Sequence, residues 1–113
     1  MKLLSINKLC KLNDIENGDS AGFTAYVNDN PQMLLAVRKG DQIFVYKNSC
    51  PHIGTPLDFH AGNFLNREKT HILCSTHGAL FEIENGHCIF GPCRNAYLEA
   101  VSVVVNDGDV LIV

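Results

Sequence analysis

The chain lacks the features that would place it in a membrane, on a nucleic acid or in several large enzyme classes. No stretch of its 113 residues approaches the roughly 20 consecutive apolar residues that a membrane-spanning helix needs. Its 9 basic and 12 acidic residues give a net charge of −3, and no basic patch indicates a nucleic-acid partner. No phosphate-binding loop, dinucleotide fingerprint or hydrolase nucleophile motif occurs. We therefore expect a protein that works without a membrane, a nucleic acid or a nucleotide of its own.

The composition that remains is that of one ordinary globular domain. Hydrophobic residues make up 46% of the chain and charged residues 19%, which is too apolar for a disordered protein. A chain of this length predicts a single domain, residues 1–113, with a buried core. The first six residues are too short for a signal peptide, and Lys8 and Lys11 follow at once. We expect a soluble, cytoplasmic monomer.

Short apolar runs separated by turn residues predict strands nearly throughout. The predicted strands cover residues 33–37, 43–46, 72–73, 80–83, 88–90, 101–105 and 110–113. Asn85-Gly86 is the strongest hairpin signal, because a type I′ turn needs a positive φ at both central residues. Residues 7–16 are the only helical candidate, and their weak periodicity favours a single turn. Residues 3–6 are predicted to pair with the closing hairpin at 101–113.

Two short segments each offer one thiolate and one imidazole. Cys50 and His52 form a C-x-H pair, Cys74 and His77 form a C-x₂-H pair, and 21 residues separate the two pairs. Structural zinc sites usually pair cysteine with cysteine and histidine with histidine. A Rieske [2Fe–2S] centre instead replaces two cysteines by two histidines on one of its irons. The mixed pairs therefore favour an iron–sulfur cluster over zinc.

The spacing and flanks of these pairs resemble the Rieske family, whose signature is C-x-H, a gap of about this length, and C-x₂-H. The likeness extends over His77-Gly78, Phe81, Gly86 and Gly91-Pro92. It implies an all-β fold, an antiparallel β-sandwich with a small inserted cluster-binding lobe at about residues 47–82. It also implies one [2Fe–2S] cluster, and the strand rhythm of the chain is similar to that of ferredoxin-type members.

By the same resemblance, Cys50 and Cys74 would hold the buried iron, while His52 and His77 would hold the outer iron near the surface. Glycines that follow the ligands would let backbone N–H groups approach the inorganic sulfides, and Gly91-Pro92 would form a third loop over the cluster. The residues expected around the cluster are Pro51, Gly54, Thr55, Thr76, Gly78, Ala79, Phe81, Gly91 and Pro92.

The resemblance implies an electron carrier and not an enzyme. Electrons would come from a flavoprotein reductase and pass to a terminal oxygenase or another redox enzyme, through the histidine edge. The docking tip would be formed by Pro51, Ile53, Thr76 and Pro92. One alternative is the small subunit of a nitrite-reductase-like complex, and another is a non-redox binding module stabilised by a structural zinc ion. A mononuclear iron site needs two histidines and a carboxylate, and the candidate histidines His60, His71 and His87 are scattered along the chain without a recognisable scaffold.

Three further cysteines have no role in this scheme. An odd number of spare thiols indicates reduced cysteines and not a disulfide framework. Cys88 and Cys93 are five residues apart near the presumed cluster cover, and we interpret them as small packing residues in preference to a disulfide or thiol switch. Cys10 is interpreted as a packing residue.

The first prediction concerns the reduction potential. High-potential respiratory members of the family have Ser and Tyr where this chain has Ala79 and Phe81, and neither residue here donates a side-chain hydrogen bond to sulfur. They also carry a disulfide at the positions of Thr55 and Thr76. We expect a potential of about −150 mV, at the low end of the Rieske range. Ala79→Ser should raise the midpoint potential in a dithionite titration. An unchanged potential with an intact cluster would contradict the hydrogen-bond argument.

Overall fold

The computed structural model describes residues 7–51, 54, 56–57, 64–74 and 78–113. Predictions that fall on residues 1–6, including the pairing of residues 3–6, lie outside the described residues. The elements are β1 (Asn7–Lys11), a 3₁₀ turn (Leu12–Asp14), β2 (Ser20–Val27), β3 (Asn30–Lys39), β4 (Gln42–Lys47), β5 (His71–Leu73), β6 (Leu80–Glu82), β7 (Cys88–Phe90), β8 (Val103–Asn106) and β9 (Asp109–Ile112).

The strands form three antiparallel sheets of three strands each, in the orders β1-β9-β8, β2-β3-β4 and β5-β6-β7. The predicted all-β antiparallel class is confirmed. The first two sheets enclose one hydrophobic core, and the third sheet packs on the far side of β3 and β4 over a second core. The predicted lobe boundary at residue 82 stays a prediction; the small sheet itself continues into β7, which lies beyond it.

β3 contributes side chains to both hydrophobic cores. Its residues Leu34, Leu35, Ala36 and Val37 are all buried, with at most 1% exposure. Successive side chains of a strand point to opposite faces, so Leu34 and Ala36 belong to the core between the larger sheets, and Leu35 and Val37 to the core under the small sheet. A continuous apolar run without alternation is the sequence mark of a strand covered on both faces.

β2 was not predicted from the sequence, although it pairs with β3 along its whole length, from Ser20 opposite Val37 to Val27 opposite Asn30. No residue of β2 is fully buried, and small or polar residues interrupt its apolar positions, so its strand signal is weak. The turn that connects β2 to β3 was not predicted either. Asn28 and Asp29 have φ of 52° and 65°, as a two-residue type I′ hairpin requires.

The prediction of a type I′ turn at Asn85-Gly86 is wrong in its detail. Only Gly86 has a positive φ, of 75°. Its N–H donates to the Glu82 carbonyl at 2.8 Å, and Glu82 N–H donates to the His87 carbonyl at 2.9 Å. Because Glu82 pairs with His87, the loop between them consists of the four residues 83–86 and contains one left-handed glycine. A Cβ on Gly86 would lie 2.9 Å from the Tyr46 ring, so close packing also requires glycine here.

The helical candidate at residues 7–16 is replaced by a strand and a short turn. Asn7–Lys11 pairs with β9, and only Leu12–Asp14 forms a 3₁₀ turn. This agrees with the expectation of a single turn and corrects the rest of the segment, because pairing with β9 outweighs a weak helical periodicity. In the part of the chain that the structure describes, no helix is long and apolar enough to cross a membrane.

Tyr46 connects the β2-β3-β4 sheet to the small β5-β6-β7 sheet through a hydrogen bond. Its hydroxyl donates to the Ile83 carbonyl at 2.6 Å, and the residue is only 2% exposed. Burial, and secondarily the charge of Glu84, raise the pKa of Tyr46 to about 12. Since this pKa lies above the ordinary value for tyrosine, the protonated phenol contributes stability that is complete below about pH 10 and is lost as the pH rises toward 12.

We predict that Tyr46→Phe lowers the free energy of unfolding by about 1–3 kcal/mol near neutral pH, because it leaves a buried carbonyl without its donor. The difference from the unsubstituted protein should narrow between about pH 10 and pH 12, where the phenol ionises in the unfolded chain but is still largely protonated in the folded protein. Urea unfolding at several pH values measures both effects. The control is Tyr97→Phe, since Tyr97 is 59% exposed. An equal cost for both substitutions would contradict the role of the buried hydrogen bond.

Candidate metal centre

The first predicted ligand loop leaves the end of β4. Cys50 is fully buried and Pro51 is exposed, so the chain turns outward directly after the thiol. The carbonyl of Cys50 accepts a hydrogen bond of 2.7 Å from the N–H of Gly54, whose φ is 77°. The loop is therefore a tight turn that places its cysteine in the core and its glycine at the surface.

The second loop, between β5 and β6, closes in the same way. Cys74 is fully buried, and its carbonyl accepts a hydrogen bond of 2.7 Å from the N–H of Gly78, whose φ is 72°. Cys74 N–H in turn donates to the Ala79 carbonyl at 2.9 Å. In both loops the glycine stands four residues after the cysteine, a repeated spacing that the sequence analysis did not use.

The structure gives these glycines a more definite role than the sequence suggested. Their own N–H groups are engaged by the carbonyls of Cys50 and Cys74, so they close the turns. The left-handed conformation at both positions is one that glycine adopts without a steric penalty. His52, Ile53, Thr55, Thr76 and His77 lie outside the described residues, as does His60.

The predicted third loop lies against the second one. Gly91 has a φ of 109°, and a Cβ built on it would lie 2.8 Å from Cα and 3.0 Å from Cβ of Ala79. Ala79 and Phe81 are fully buried beneath this contact, while Pro92 is exposed. Gly91 therefore packs directly on the buried end of the second loop.

Asn48 is a supporting residue that the sequence analysis missed. It is 7% exposed, and its Oδ1 accepts a hydrogen bond of 2.7 Å from the N–H of Leu57. Its own N–H donates to the Met33 carbonyl at 2.8 Å. Asn48 thus joins β3, the start of the first loop and the residue that follows that loop. The only signal for this role in the sequence was the position of an asparagine two residues before a predicted ligand.

The spare cysteines prove to lie beside the predicted ligands. Cys88 Sγ is 3.2 Å from Cys93 Sγ, and both residues belong to the core cluster that contains Cys50 and Cys74. Burial, followed by the neighbouring thiols of Cys88 and Cys50, raises the pKa of Cys93 to about 12. Cys10 lies in the other core, where burial raises its pKa to about 11.

The other histidines have partners of their own. His71 Nδ1 is 2.9 Å from the Thr70 hydroxyl, and His87 stacks on Tyr97 with ring centroids 4.9 Å apart. Among the described residues, no group of three or more histidine, cysteine or acidic side chains is placed to hold a metal. Two of the four predicted ligands fall outside that set.

The donors that are described suit an iron–sulfur cluster. Cys50 and Cys74 lie in one buried cluster, each at the inner end of a turn whose outer end reaches solvent. Thiolates are the ligands of iron in such clusters. A buried thiolate and an exposed loop tip would place one side of a metal group inside the protein and leave the other near the surface.

Comparison with known proteins identifies the family. The model of the Rieske [2Fe–2S] domain matches residues 5–107. The chain therefore belongs to the Rieske [2Fe–2S] domain family, and its cofactor is a [2Fe–2S] cluster bound by cysteine and histidine. No curated protein sequence matches the chain.

Solved structures share the fold. The ferredoxin of carbazole 1,9a-dioxygenase from Nocardioides aromaticivorans IC177 is 23% identical, with a TM-score of 0.73 over 96% of this chain and 97% of that one. A chain in the complex of reduced oxygenase and oxidized ferredoxin in carbazole 1,9a-dioxygenase is 23% identical, with a TM-score of 0.72 over 95% and 91%. A putative nitrite reductase NADPH small subunit is 18% identical, with a TM-score of 0.66 over 97% and 99%.

We predict that Gly91→Ala lowers the amount of cluster retained on purification. Its methyl group would displace the third loop from Ala79, because a contact of 2.8 Å to backbone cannot be relieved by a side-chain rotation. Visible absorbance per protein measures retention. Gly108→Ala is the matched control, since Gly108 also has a positive φ, of 79°, but has nothing within 4 Å. Equal loss in both variants would show that backbone strain, and not the contact with Ala79, is responsible.

Proposed function

We propose that this protein is a one-electron carrier, in which Cys50, His52, Cys74 and His77 hold the [2Fe–2S] cluster. The observation that carries the proposal is the pair of matching loops, each with a buried thiol and an exposed glycine four residues later. Membership of the Rieske family supplies the cluster. The ligand set rests on the spacing of the two pairs, and the shared closure of their turns supports it.

We further propose that the protein receives electrons from a flavoprotein reductase and gives them to a terminal oxygenase. Support comes from the likeness, over nearly the whole of both chains, to the ferredoxin of a carbazole dioxygenase, and from the complex of such a ferredoxin with its oxygenase. With Cys50 and Cys74 assigned to the cluster, an odd number of further cysteines remains, which fits reduced thiols and favours the cytoplasm.

The surface around the loops suits transient docking. Pro51, Gly54, Gly78 and Pro92 are exposed and carry no charge, and Phe90 beside the third loop is 63% exposed. A small uncharged surface with one protruding aromatic residue is typical of a contact that forms and separates quickly. Phe90 therefore joins the predicted docking tip.

A second candidate is a subunit of a nitrite-reductase-like complex. The specific observation is the likeness to the putative small subunit, which extends over 99% of that chain. All four predicted ligand residues are present here, which suits a working cluster in either role. A stable complex with a large reductase subunit in gel filtration would favour this candidate over a freely exchanging carrier.

The cluster itself is tested by low-temperature EPR of the dithionite-reduced protein from iron-replete cells. We expect a rhombic signal whose average g lies below that of all-cysteine clusters, because two histidines ligate one iron. Stopped-flow mixing of the reduced protein with cytochrome c should then transfer one electron per molecule. Cys50→Ser, which removes a ligand, should abolish both. A colourless, EPR-silent protein containing zinc would support the non-redox binding module instead.

The docking tip is tested with a pair of matched variants. Phe90→Ala should slow transfer to the acceptor without changing the potential, because it alters the contact and not the cluster. Val104→Ala is the control, since Val104 is 45% exposed on β8, in a different sheet. Equal rates for the two variants would contradict docking through the third loop.

A further inference from the structure

Cys88 and Cys93 form a thiol pair that electron transfer does not require. Their Sγ atoms are 3.2 Å apart, and Cys88 Sγ also lies 3.3 Å from the Phe90 carbonyl oxygen. Cys88 is fully buried, whereas Cys93 retains 7% exposure. A disulfide has an S–S distance of about 2.05 Å, so a shift of about 1 Å between the sulfur atoms would be enough for a bond to form.

The backbone holds the two cysteines in this position. Cys88 N–H donates to the Ala96 carbonyl at 2.8 Å, and Asn95 N–H donates to the Cys88 carbonyl at 2.9 Å. Ala96 N–H donates to the Cys93 carbonyl at 2.8 Å. Both residues are thus anchored to one short segment, 95–96, and their approach does not depend on a long flexible loop.

The pair also borders the cluster. Both cysteines belong to the same buried core cluster as Cys50 and Cys74. Gly91, two residues before Cys93, packs on Ala79 in the second predicted ligand loop. A bond between Cys88 and Cys93 would therefore alter the packing beside a predicted ligand loop.

We propose that Cys88 and Cys93 are a redox-active pair that closes into a disulfide under oxidative load and thereby shifts the reduction potential of the cluster. Closing the 3.2 Å gap between the two sulfur atoms moves Cys93, and with it the loop whose Gly91 packs on Ala79. The environment and solvent exposure of such clusters help to set their potential.

The oxidant is a peroxide. The sulfur of Cys93, the more exposed of the two, attacks one oxygen of hydrogen peroxide and breaks the O–O bond. This gives a sulfenic acid and, with the thiol proton, one water. The sulfur of Cys88 then displaces the hydroxyl group, which leaves with the Cys88 proton as a second water, and the S–S bond forms. Two thiols are oxidised and one peroxide is reduced. Burial disfavours the thiolate, so the reaction should be slow at low peroxide concentrations.

The effect on the cluster rests on the proposed function, but formation of the disulfide does not. Holo protein is treated with graded hydrogen peroxide, unfolded in an alkylating agent and mapped by mass spectrometry. We expect the number of alkylated cysteines to fall from five to three, with one peptide pair linked through Cys88 and Cys93. Dithiothreitol should restore all five. The midpoint potential of the cluster, followed by EPR, should shift on oxidation of the pair and return on its reduction.

Two variants complete the experiment. Cys93→Ser keeps a hydroxyl donor but cannot form the bond, so its cluster potential should not respond to peroxide. Cys10→Ser is the matched control, because Cys10 is 6% exposed in the other core and should not affect the pair. Peroxide that destroys the cluster, or links Cys50 to Cys74, before Cys88 and Cys93 join would overturn the proposal. So would a disulfide that forms with no change in potential, in which case the EPR signal would still confirm the carrier.

Discussion

The burial of β3 on both faces is the constraint on which the rest of the structure depends. Leu34 and Ala36 pack between the larger sheets, whereas Leu35 and Val37 pack beneath the small sheet. A strand whose alternate side chains serve different cores cannot shift register by one residue without exchanging the two sets. The register of β4 on β3 follows from this, and β4 leads directly into the loop that carries Cys50. The scaffold thus determines where the first ligand loop begins.

The small sheet is attached to this scaffold by the shared second core and by specific contacts. The Tyr46 hydroxyl reaches the Ile83 carbonyl. Gly22 in β2 leaves room for the Phe64 ring, which would lie 3.3 Å from a Cβ at that position. Such contacts suit a redox centre, because electron transfer is faster when the protein around the cluster does not rearrange as the charge of the cluster changes.

The ligand loops and the thiol pair show how burial separates chemical roles among five cysteines. Cys50 and Cys74 lie at the inner ends of loops that reach solvent, as the proposed metal ligation and electron exit would require. Cys88 and Cys93 lie behind them in the same core and are close enough to react with each other. Cys10 is in the other core, beside neither group, and packs as a small apolar side chain.

Much of this could be predicted from the chain alone. Short apolar runs and turn residues indicated an antiparallel all-β fold, because strand periodicity and turn chemistry are local properties. The mixed cysteine and histidine pairs indicated the cluster, since residue type and spacing show which side chains can ligate iron. β2 escaped prediction because it is half exposed and is held by its pairing with β3, which no local pattern records.

The sequence by itself therefore determined the class of fold, the family and the chemistry of the proposed site. Only the tertiary structure decided that Asn48 supports the first loop, that Gly91 packs on Ala79 and that the Cys88 and Cys93 thiols meet beside Cys50. Each of these depends on distances between residues that are not adjacent in the chain. Such distances are set by the packing of the sheets, and the order of residues does not reveal them.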